Sequence, residues 1–312
     1  MVYDLIIVGG GPAGVAAGIY AARKAIKTLL LTKDFGGQSV NSASIENFIG
    51  FKSISGVDFA KTLEEHLRAQ EDIEIKDGVL VSKVEKVGGG FEISTAGGDK
   101  FQSKTVLITL GSGYKKLNVP GEKEFEGKGV FYCSICDAPL MKGKKAAVIG
   151  GGNSGLEAAF DLLPYAEKIS ILEFTDSLRG DPIYQEKLKK DPKVEIITKA
   201  KTVEIFGEAF VKGLKYVDLN TNQEKMLDVS GVFVAIGYKP NTDLVKDLVK
   251  LDEFGRIVVD HKTYQTSCPG LWAAGDITDG LYNQINPAMG DAIKAVLNVY
   301  DYLNKLITAD DS

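Results

Sequence analysis

The sequence predicts an α/β protein in which one strand–loop–helix–strand unit occurs twice. In the first unit, an apolar run at residues 4–8 leads into a glycine-rich loop at 9–14, and an alanine-rich stretch follows. Glycines at this spacing let the backbone approach a pyrophosphate at a helix N-terminus. The spacing recurs at residues 150–155, again between an apolar run and a helical stretch. Two matches in the same context are much stronger than one isolated motif, so we expect two Rossmann-like dinucleotide-binding domains.

The other elements follow from apolar runs and their periodicity. Residues 57–72 have the spacing of an amphipathic helix, and residues 73–95 alternate around a glycine turn, which predicts a small antiparallel layer. Two buried strands that end in glycine, one in each half of the chain, strengthen the case for a duplicated fold. The predicted strands are residues 3–8, 28–31, 104–111, 145–149, 169–172, 232–237 and 270–276, and the predicted helices are residues 15–24, 57–72, 156–163 and 287–306.

Length and composition indicate an ordinary globular protein with room for two domains. The chain has 312 residues, of which 44% are hydrophobic and 25% are charged, and roughly 150 residues per domain is a common expectation. The net charge of −5 gives no indication of a nucleic-acid or acidic-membrane partner. No run approaches the ~20 apolar residues of a membrane span, so we expect no membrane segment.

The cysteine count favours a reducing compartment. Three cysteines do not make a disulfide framework, and the first residues enter an apolar strand without a basic leader. We therefore expect a cytoplasmic protein. In that setting a Cys-x-x-Cys pair is typical of catalysis or metal binding rather than of a structural disulfide.

Such a pair is present and lies close to the second glycine-rich loop. Cys133 and Cys136 are separated by two residues, and a carboxylate, Asp137, follows directly. A vicinal dithiol beside a nucleotide site indicates electrons passing from a cofactor to a disulfide.

A zinc site is the main alternative for these two cysteines. Zinc requires two further ligands, and the chain offers only Cys268, His66 and His261, without a second Cys-x-x-Cys pair. We therefore expect no bound metal, and we interpret Cys268 as a small buried hydrophobic residue.

Further short motifs join the loops and the dithiol in a recognisable order, namely Gly36-Gly37-Gln38, Glu46-Asn47, Cys133-Ser134-Ile135-Cys136-Asp137 and Gly275-Asp276. The chain resembles the low-molecular-weight thioredoxin reductase family of flavoproteins, the class II pyridine nucleotide-disulfide oxidoreductases, over essentially its whole length. The resemblance implies two Rossmann-like domains of three-layer ββα form, the second inserted in the first. An FAD-binding domain is then expected at residues 1–113 and 243–312, and a pyridine-nucleotide-binding domain that carries the dithiol at residues 114–242.

The resemblance also implies cofactor contacts residue by residue. The first loop would hold the FAD pyrophosphate, Asp276 would bind the sugar-alcohol chain, and residues 282–285 would lie along the isoalloxazine ring. The expected FAD contacts are Gly9, Gly11, Pro12, Ala13, Gly14, Thr32, Lys33, Gly37, Gln38, Asn47, Thr109, Gly111, Gly275, Asp276, Tyr282, Gln284 and Ile285. The expected NAD(P)H contacts are Gly150, Gly152, Asn153, Ser154, Gly155, Glu173 and Gly237.

The chemistry of the family implies a route for electrons through the dithiol. A reduced nicotinamide would reduce FAD, and reduced FAD would open the Cys133–Cys136 disulfide. By position in the family, Cys136 faces the flavin and Cys133 attacks a disulfide of a thioredoxin- or glutaredoxin-like protein. Asp137 is the candidate acid for the departing thiolate, with a pKa raised by burial. Such enzymes are typically homodimers, so we expect a homodimer.

The chain departs from the family where the second unit would meet the adenosine ribose. Most thioredoxin reductases carry His-Arg-Arg here and bind the 2′-phosphate of NADPH, whereas this chain has Glu173-Phe174, with Arg179 nearby. Glu173 follows Gly150 by roughly the 20 residues expected for an acid that accepts bonds from a ribose 2′-hydroxyl. NADH is therefore expected over NADPH, as in the NADH-using flavoprotein component of alkyl hydroperoxide reductase, which Glu-Phe resembles. If the Glu173 side chain points to solvent instead, it gives no reason to expect NADH over NADPH.

Other donors, acceptors and classes stay open from the sequence. Ferredoxin or another donor would replace nicotinamide if Glu173 marks loss of that cofactor, although the intact second loop argues against it. A peroxiredoxin system would need a separate carrier, because the extra N-terminal thioredoxin-like region of the alkyl hydroperoxide reductase component is not in this sequence. A flavin redox sensor without turnover is the non-enzyme alternative, and the intact Cys-x-x-Cys-Asp disfavours it.

Overall fold

The fold divides the chain into two units, one inserted in the sequence of the other. The computed structural model describes residues 1–42 and 44–310. Unit 1 consists of Met1–Gly113 and Lys239–Ser312, and unit 2 consists of Tyr114–Tyr238. Among the described residues, no helix combines the length and the apolar character needed to cross a membrane.

The elements alternate between strands and helices in both units. In chain order they are β1 (Val2–Gly10), α1 (Pro12–Arg23), β2 (Thr28–Phe35), α2 (Gly56–Arg68), β3 (Ile73–Lys76), β4 (Val81–Val87), β5 (Gly90–Thr95), β6 (Lys100–Ile108), β7 (Ser112–Tyr114), β8 (Val130–Phe131), α3 (Ser134–Asp137), β9 (Lys145–Ile149), α4 (Asn153–Leu162), β10 (Lys168–Leu172), α5 (Pro182–Lys190), β11 (Val194–Ile197), β12 (Ala200–Gly207), β13 (Val211–Asp218), β14 (Gln223–Asp228), β15 (Gly231–Val234), β16 (Tyr238–Pro240), β17 (Leu271–Ala273) and α6 (Ile285–Asp310). Short 3₁₀ turns cover Gly37–Asn41 and Ala138–Met141.

Unit 1 is built on a seven-stranded sheet in the order β3-β2-β1-β6-β5-β4, with β17 also paired to β6. β1 lies inside the parallel part because it is apolar on both faces: each residue from 5 to 8 is at most 1% exposed, as expected for a strand covered on both sides. It pairs in parallel with β2 and β6. The helices α1 and α6 pack against each other.

Unit 2 has three layers, which the alternation of β9 makes visible. Its parallel sheet has the order β11-β10-β9-β15-β8, and β12, β13 and β14 form a separate antiparallel sheet. Ala146 and Val148 pack in one cluster with Leu156 of α4. The intervening residue Ala147 packs in another cluster with Leu214 of β13. Because successive side chains of a strand point to opposite faces, α4 and the antiparallel sheet cover the two faces of the central sheet.

Residues 73–95 differ from the predicted antiparallel layer. β3 lies parallel to β2. β4 and β5 are antiparallel around the glycine turn, as predicted, and β5 continues antiparallel into the main sheet through β6. Residues 73–76 have the half-buried pattern of a strand at the edge of a sheet. This pattern does not indicate whether the neighbouring strand is parallel or antiparallel. The helix predicted at 15–24 begins earlier, at Pro12, because proline is favoured in the first turn of a helix.

We expect Gly155→Ala to destabilise unit 2. A Cβ atom at Gly155 would lie 1.9 Å from the carbonyl oxygen of Gly150, and the backbone shift that relieves such overpacking typically costs about 1–3 kcal/mol. Gly152→Ala is the matched control, because a Cβ atom there meets no atom within 4 Å. Calorimetry should show a lower unfolding temperature for Gly155→Ala alone, and an unchanged transition would contradict the contact.

Candidate active site

The two cysteines of the Cys-x-x-Cys pair are joined by a disulfide at the start of a short helix. The Cα atoms of Cys133 and Cys136 are 5.3 Å apart. Cys133 is the N-cap of α3, where its Sγ accepts a hydrogen bond from the Cys136 N–H at 3.2 Å. β8 ends just before, at Phe131. The dithiol thus begins just after a parallel strand of the central sheet of unit 2.

Asp137, directly behind the dithiol, is a buried acid. It is 9% exposed, and burial raises the pKa of its carboxyl to about 7. Its N–H donates to the Cys133 carbonyl oxygen at 3.1 Å, which fixes the backbone of the acid to the dithiol turn. A carboxyl group with a pKa near neutrality is able to hold a proton at working pH and to release it.

A hydrogen bond anchors the dithiol segment to α4. Ser134 lies between the cysteines, and its Oγ donates to Asp161 Oδ2 on α4 at 2.7 Å. α3 also packs against α4. No sequence pattern points to this pair, because the partners are 27 residues apart and meet only through the fold.

Tyr132, directly before the dithiol, is held by a second buried acid. Its hydroxyl donates to Glu122 Oε1 at 2.9 Å, and Glu122 also accepts from the N–H groups of Leu117 and Asn118. Burial and the adjacent Glu122 raise the pKa of Tyr132, so the phenol stays neutral. The Nζ of Lys116 lies 3.8 Å from the centre of the Tyr132 ring. These contacts hold Tyr132, the residue that precedes the dithiol, in place. No pattern in the sequence indicates them.

The second glycine-rich loop has the open surface that a pyrophosphate needs. Gly150 has a φ of +118° and closes the turn after β9. A Cβ atom on Gly152 would meet no atom within 4 Å. α4 begins at Asn153 without a side-chain cap, so its first N–H groups remain available to an anion. The Asn153 side chain is used otherwise, since its Oδ1 accepts a hydrogen bond from the Asp181 N–H at 2.8 Å.

The remaining residues expected at this nucleotide site frame the loop. Ser154 lies partly exposed in the first turn of α4, and Gly155 is buried against Gly150. Gly237 follows β15 with a φ of +102°, and a Cβ atom there would lie 3.8 Å from the Lys115 side chain.

Glu173 turns inward to the loop. It is 2% exposed, and its Oε2 accepts a hydrogen bond from the Gly151 N–H at 2.6 Å. Its Oε1 accepts from the Thr175 N–H and hydroxyl at 2.8 and 2.7 Å. Burial raises the pKa of Glu173, but the hydrogen bonds from Thr175 and Gly151 outweigh it, so the pKa lies below its ordinary value. A carboxylate therefore stands at the edge of the loop, which excludes a side chain turned to solvent.

The first loop repeats this geometry in unit 1. A Cβ atom on Gly14 would lie 1.9 Å from the Gly9 carbonyl oxygen, whereas one on Gly11 would meet only Gly37, at 3.9 Å. Gly14 therefore serves the contact between α1 and β1, and Gly11 leaves space for a ligand. Thr109 holds the turn, since its hydroxyl donates to the Gly9 carbonyl oxygen at 3.1 Å. Pro12 and the buried Ala13 open α1.

Thr32 stands where the second repeat has Glu173, and its environment differs. The Thr32 hydroxyl is buried and donates to the Asp34 carbonyl oxygen at 2.5 Å. Its hydrogen is therefore used within the protein. Lys33 is the exposed member of the expected Thr32 and Lys33 pair.

Side-chain hydrogen bonds bring together the loops expected around the flavin. Gln38 donates from Nε2 to the Ser112 carbonyl oxygen. Asn47 donates from Nδ2 to Gln284 Oε1 at 3.0 Å, just before α6. Residues 46–52 line an open cavity of about 370 Å³.

The other expected flavin contacts are backbone turns or exposed positions. Gly37 and Gly111 have φ angles of +53° and +61°, a backbone conformation that favours glycine. Ile285 is the first residue of α6. Tyr282 is exposed to solvent, and no hydrogen bond within the described chain holds its hydroxyl.

Asp276 lies close to the first loop. Gly275, with a φ of +77°, brings the chain so near α1 that a Cβ atom there would be 3.3 Å from Ala13 Cβ. Burial, with a smaller contribution from Asp291, raises the pKa of the Asp276 carboxyl to about 6. Within the part of the chain that the structure describes, its carboxylate accepts no hydrogen bond.

Two unsatisfied polar groups fit FAD at this site. The Ser112 hydroxyl is buried without a hydrogen-bond partner among the described residues, and it neighbours Gly111. Asp276 offers acceptors to sugar-alcohol hydroxyls, and the open surface at Gly11 admits a pyrophosphate. Ser112 was missed in the sequence, where a serine beside a glycine at a strand end gives little signal.

The described residues contain no group of three or more His, Cys, Asp or Glu side chains that could hold a metal ion. Cys268 is buried and carries a free thiol, as predicted for a small hydrophobic residue.

We expect Asp276→Asn to weaken FAD retention by about 10- to 100-fold, because hydrogen bonds to a charged acceptor contribute about 1.5–3 kcal/mol. Since the carboxyl has a pKa of about 6, the wild-type protein should lose FAD more readily as the pH falls through 6, and the variant should lack this dependence. Dialysis against FAD-free buffer at pH 5 and 7.5, followed by absorbance, measures both. Asp260→Asn, at an exposed position of the same unit, is the control. Equal FAD retention in all three proteins would refute the role of Asp276.

Several proteins of known structure resemble this chain along its whole length. A thioredoxin reductase from Streptococcus pyogenes MGAS5005 is 34% identical with a TM-score of 0.90, and the match covers 97% of this chain and 99% of that one. A thioredoxin reductase from T. acidophilum is 41% identical with a TM-score of 0.66 and covers 96% and 98% of the two chains. These neighbours confirm the predicted fold class of two dinucleotide-binding domains.

Curated relatives are longer than this chain. A Bacillus subtilis (strain 168) protein named NADH dehydrogenase is 45% identical over 301 residues, which are 96% of this chain and 58% of the relative. The F subunit of alkyl hydroperoxide reductase in Pseudomonas putida is 45% identical over 306 residues, again 96% and 58% of the two chains. Residues 3–292 match the pyridine nucleotide-disulphide oxidoreductase family. The chain therefore belongs to this family of oxidoreductases, whose cofactors are FAD and NAD(P)H.

Proposed function

We propose that the protein is a disulfide reductase that uses NADH in preference to NADPH and reduces a thioredoxin- or glutaredoxin-like protein. Under this proposal unit 1 binds FAD and unit 2 binds the pyridine nucleotide. A cytoplasmic homodimer completes the proposal, and sedimentation at twice the 33.6 kDa chain mass would support the dimer.

The strongest support for the proposal is the disulfide with a buried acid next to it. A disulfide lies between Cys133 and Cys136, and the buried acid Asp137 follows it directly. Both belong to the unit that contains the second glycine-rich loop. A redox-active pair, a proton source and a nucleotide loop in one unit are the parts that a disulfide reductase requires.

The two sulfurs take unequal roles in this reaction. FAD, when bound, supplies the two-electron chemistry that connects a nicotinamide to a disulfide. In the reduced pair, the Cys133 thiolate attacks the partner disulfide, a mixed disulfide forms, and the second partner sulfur leaves with a proton from Asp137. Cys136 then gives its proton to the Asp137 carboxylate and attacks Cys133 in the mixed disulfide, which restores the Cys133–Cys136 bond. The partner sulfur that leaves Cys133 takes a proton from solvent, so the partner is released as a dithiol. The pair loses two electrons and the partner gains two.

The inward orientation of Glu173 supports the preference for NADH. Its carboxylate is held against Gly151 and kept ionised by hydrogen bonds, and an ionised carboxylate repels a dianionic 2′-phosphate. Arg179 offsets this repulsion only in part, since its Nη2 is 3.9 Å from Glu173 Oε1 and its side chain is largely exposed.

Anaerobic titration of the FAD absorbance with NADH and then NADPH tests the donor. We expect NADH to bleach the flavin at roughly tenfold lower concentration, because the charge repulsion is about 1–3 kcal/mol when partly shielded from water. Glu173→Gln should shrink the difference, and Glu157→Gln, exposed on α4, should not. Equal bleaching by both nucleotides would contradict the preference. Bleaching by neither would leave ferredoxin or another donor, or a redox sensor without turnover.

A second candidate function is the supply of electrons to a peroxiredoxin through a separate carrier. The relatives named for alkyl hydroperoxide reductase favour it, although this chain spans only 58–59% of their length. NADH oxidation with thioredoxin alone as acceptor supports the first function. Oxidation that requires a carrier together with a peroxiredoxin and a peroxide supports the second.

Asp137→Asn is expected to slow thioredoxin reduction by about 10²-fold or more, the range that general acids contribute. Because burial raises the pKa of Asp137 to about 7, the wild-type acid is protonated below that pH, and its rate should fall as the pH rises through 7. The variant should lack this fall. Steady-state rates from pH 5.5 to 9 measure it, with the exposed Asp176→Asn as control. An unaltered pH profile in Asp137→Asn would remove Asp137 as the acid.

A further inference from the structure

We propose that Phe174 forms one wall of the site that binds the adenine ring of the pyridine nucleotide in unit 2. The inference rests on the proposed function, since it requires a nucleotide at the second glycine-rich loop. It assigns a role to a residue that the electron-transfer chemistry leaves unused.

Phe174 lies on a fixed piece of backbone just after β10. Its neighbours on both sides are hydrogen-bonded to Lys199 and Ala200, at the start of β12. The Ala200 N–H donates to the Glu173 carbonyl oxygen at 2.9 Å, and the Lys199 N–H donates to the Thr175 carbonyl oxygen at 2.8 Å. The backbone that carries Phe174 is therefore held in place by the fold.

The ring itself is left uncovered. Phe174 is 59% exposed, although the adjacent Glu173 is 2% exposed. Among the described residues its ring makes no aromatic or cation–π contact. Single exposed phenylalanines are common on protein surfaces, so exposure alone is weak evidence for a binding role. The stronger support is the sequence position of Phe174, directly after Glu173.

Glu173 places Phe174 next to the base of a bound nucleotide. Its carboxylate bonds to the Gly151 N–H at 2.6 Å and so lies against the loop, where an acid accepts a hydrogen bond from the ribose 2′-hydroxyl. That hydroxyl is on the ribose carbon adjacent to the one that bears adenine. A residue directly after the ribose acceptor is within reach of the base, and an aromatic face stacks on a base without needing polar groups.

The test compares two donors, of which the second lacks the AMP part of the first. Flavin bleaching of the FAD-loaded full chain is titrated with NADH and with reduced nicotinamide mononucleotide, which lacks adenine. Phe174→Ala should raise the half-saturating NADH concentration about 5- to 20-fold, in the lower part of the range for base stacking, and leave the mononucleotide unchanged. Phe174→Tyr should retain the wild-type value. Phe210→Ala, a 66% exposed phenylalanine of the same unit, is the matched control and should have no effect.

A second readout does not depend on electron transfer. Calorimetric titration with ADP-ribose, which has the adenine but no nicotinamide, should show the same loss of affinity in Phe174→Ala, with circular dichroism to verify folding. Equal losses for both donors, an unchanged response to NADH and ADP-ribose, or full affinity in Phe174→Leu would each overturn the stacking role. In those cases the wild-type protein still responds to NADH, and the proposed function stands. A wild-type protein that responds to neither NADH nor ADP-ribose would overturn both.

Discussion

Both units depend on one close contact between a helix and the strand before it. In each, the last glycine of the loop faces the carbonyl oxygen of the first, and a Cβ atom would lie 1.9 Å from that oxygen at Gly14 and at Gly155. This contact brings the helix N-terminus to the carboxyl end of the strand. The middle glycines, Gly11 and Gly152, then leave open backbone beside the first N–H groups of the helix, an arrangement that suits a pyrophosphate. The surrounding sheets, of seven and five strands, differ without changing this arrangement.

Three buried or half-buried carboxylates differ in charge because their hydrogen bonds differ. Burial raises the pKa of Asp137 to about 7 and that of Asp276 to about 6. Glu173 is at least as buried, but three donors from Gly151 and Thr175 keep its pKa low. Burial thus favours the protonated form of Asp137, beside the disulfide, whereas hydrogen bonds favour the ionised form of Glu173, beside the second glycine-rich loop.

Features that are periodic or contiguous can be predicted from the sequence, whereas contacts between residues far apart in the chain are seen only in the fold. The repeated loops and the dithiol are predictable because each is a short run of residues with a characteristic spacing. The partners Ser134 and Asp161 are not, since they meet only after α3 packs on α4. The inward turn of Glu173 had a local signal in Thr175, whose hydroxyl caps the carboxylate. The parallel pairing of β3 had none, because its half-buried pattern suits either direction.

The bond between Ser134 and Asp161 has a mechanical consequence. Asp161 lies near the end of α4, and Asn153, next to the nucleotide loop, lies at its beginning. At 1.5 Å per residue, the two positions are about 12 Å apart along the helix axis. The hydrogen bond therefore joins the dithiol segment to one end of α4, and the second glycine-rich loop leads into the other end. A shift of α4 along its axis would therefore act on both the dithiol segment and the loop.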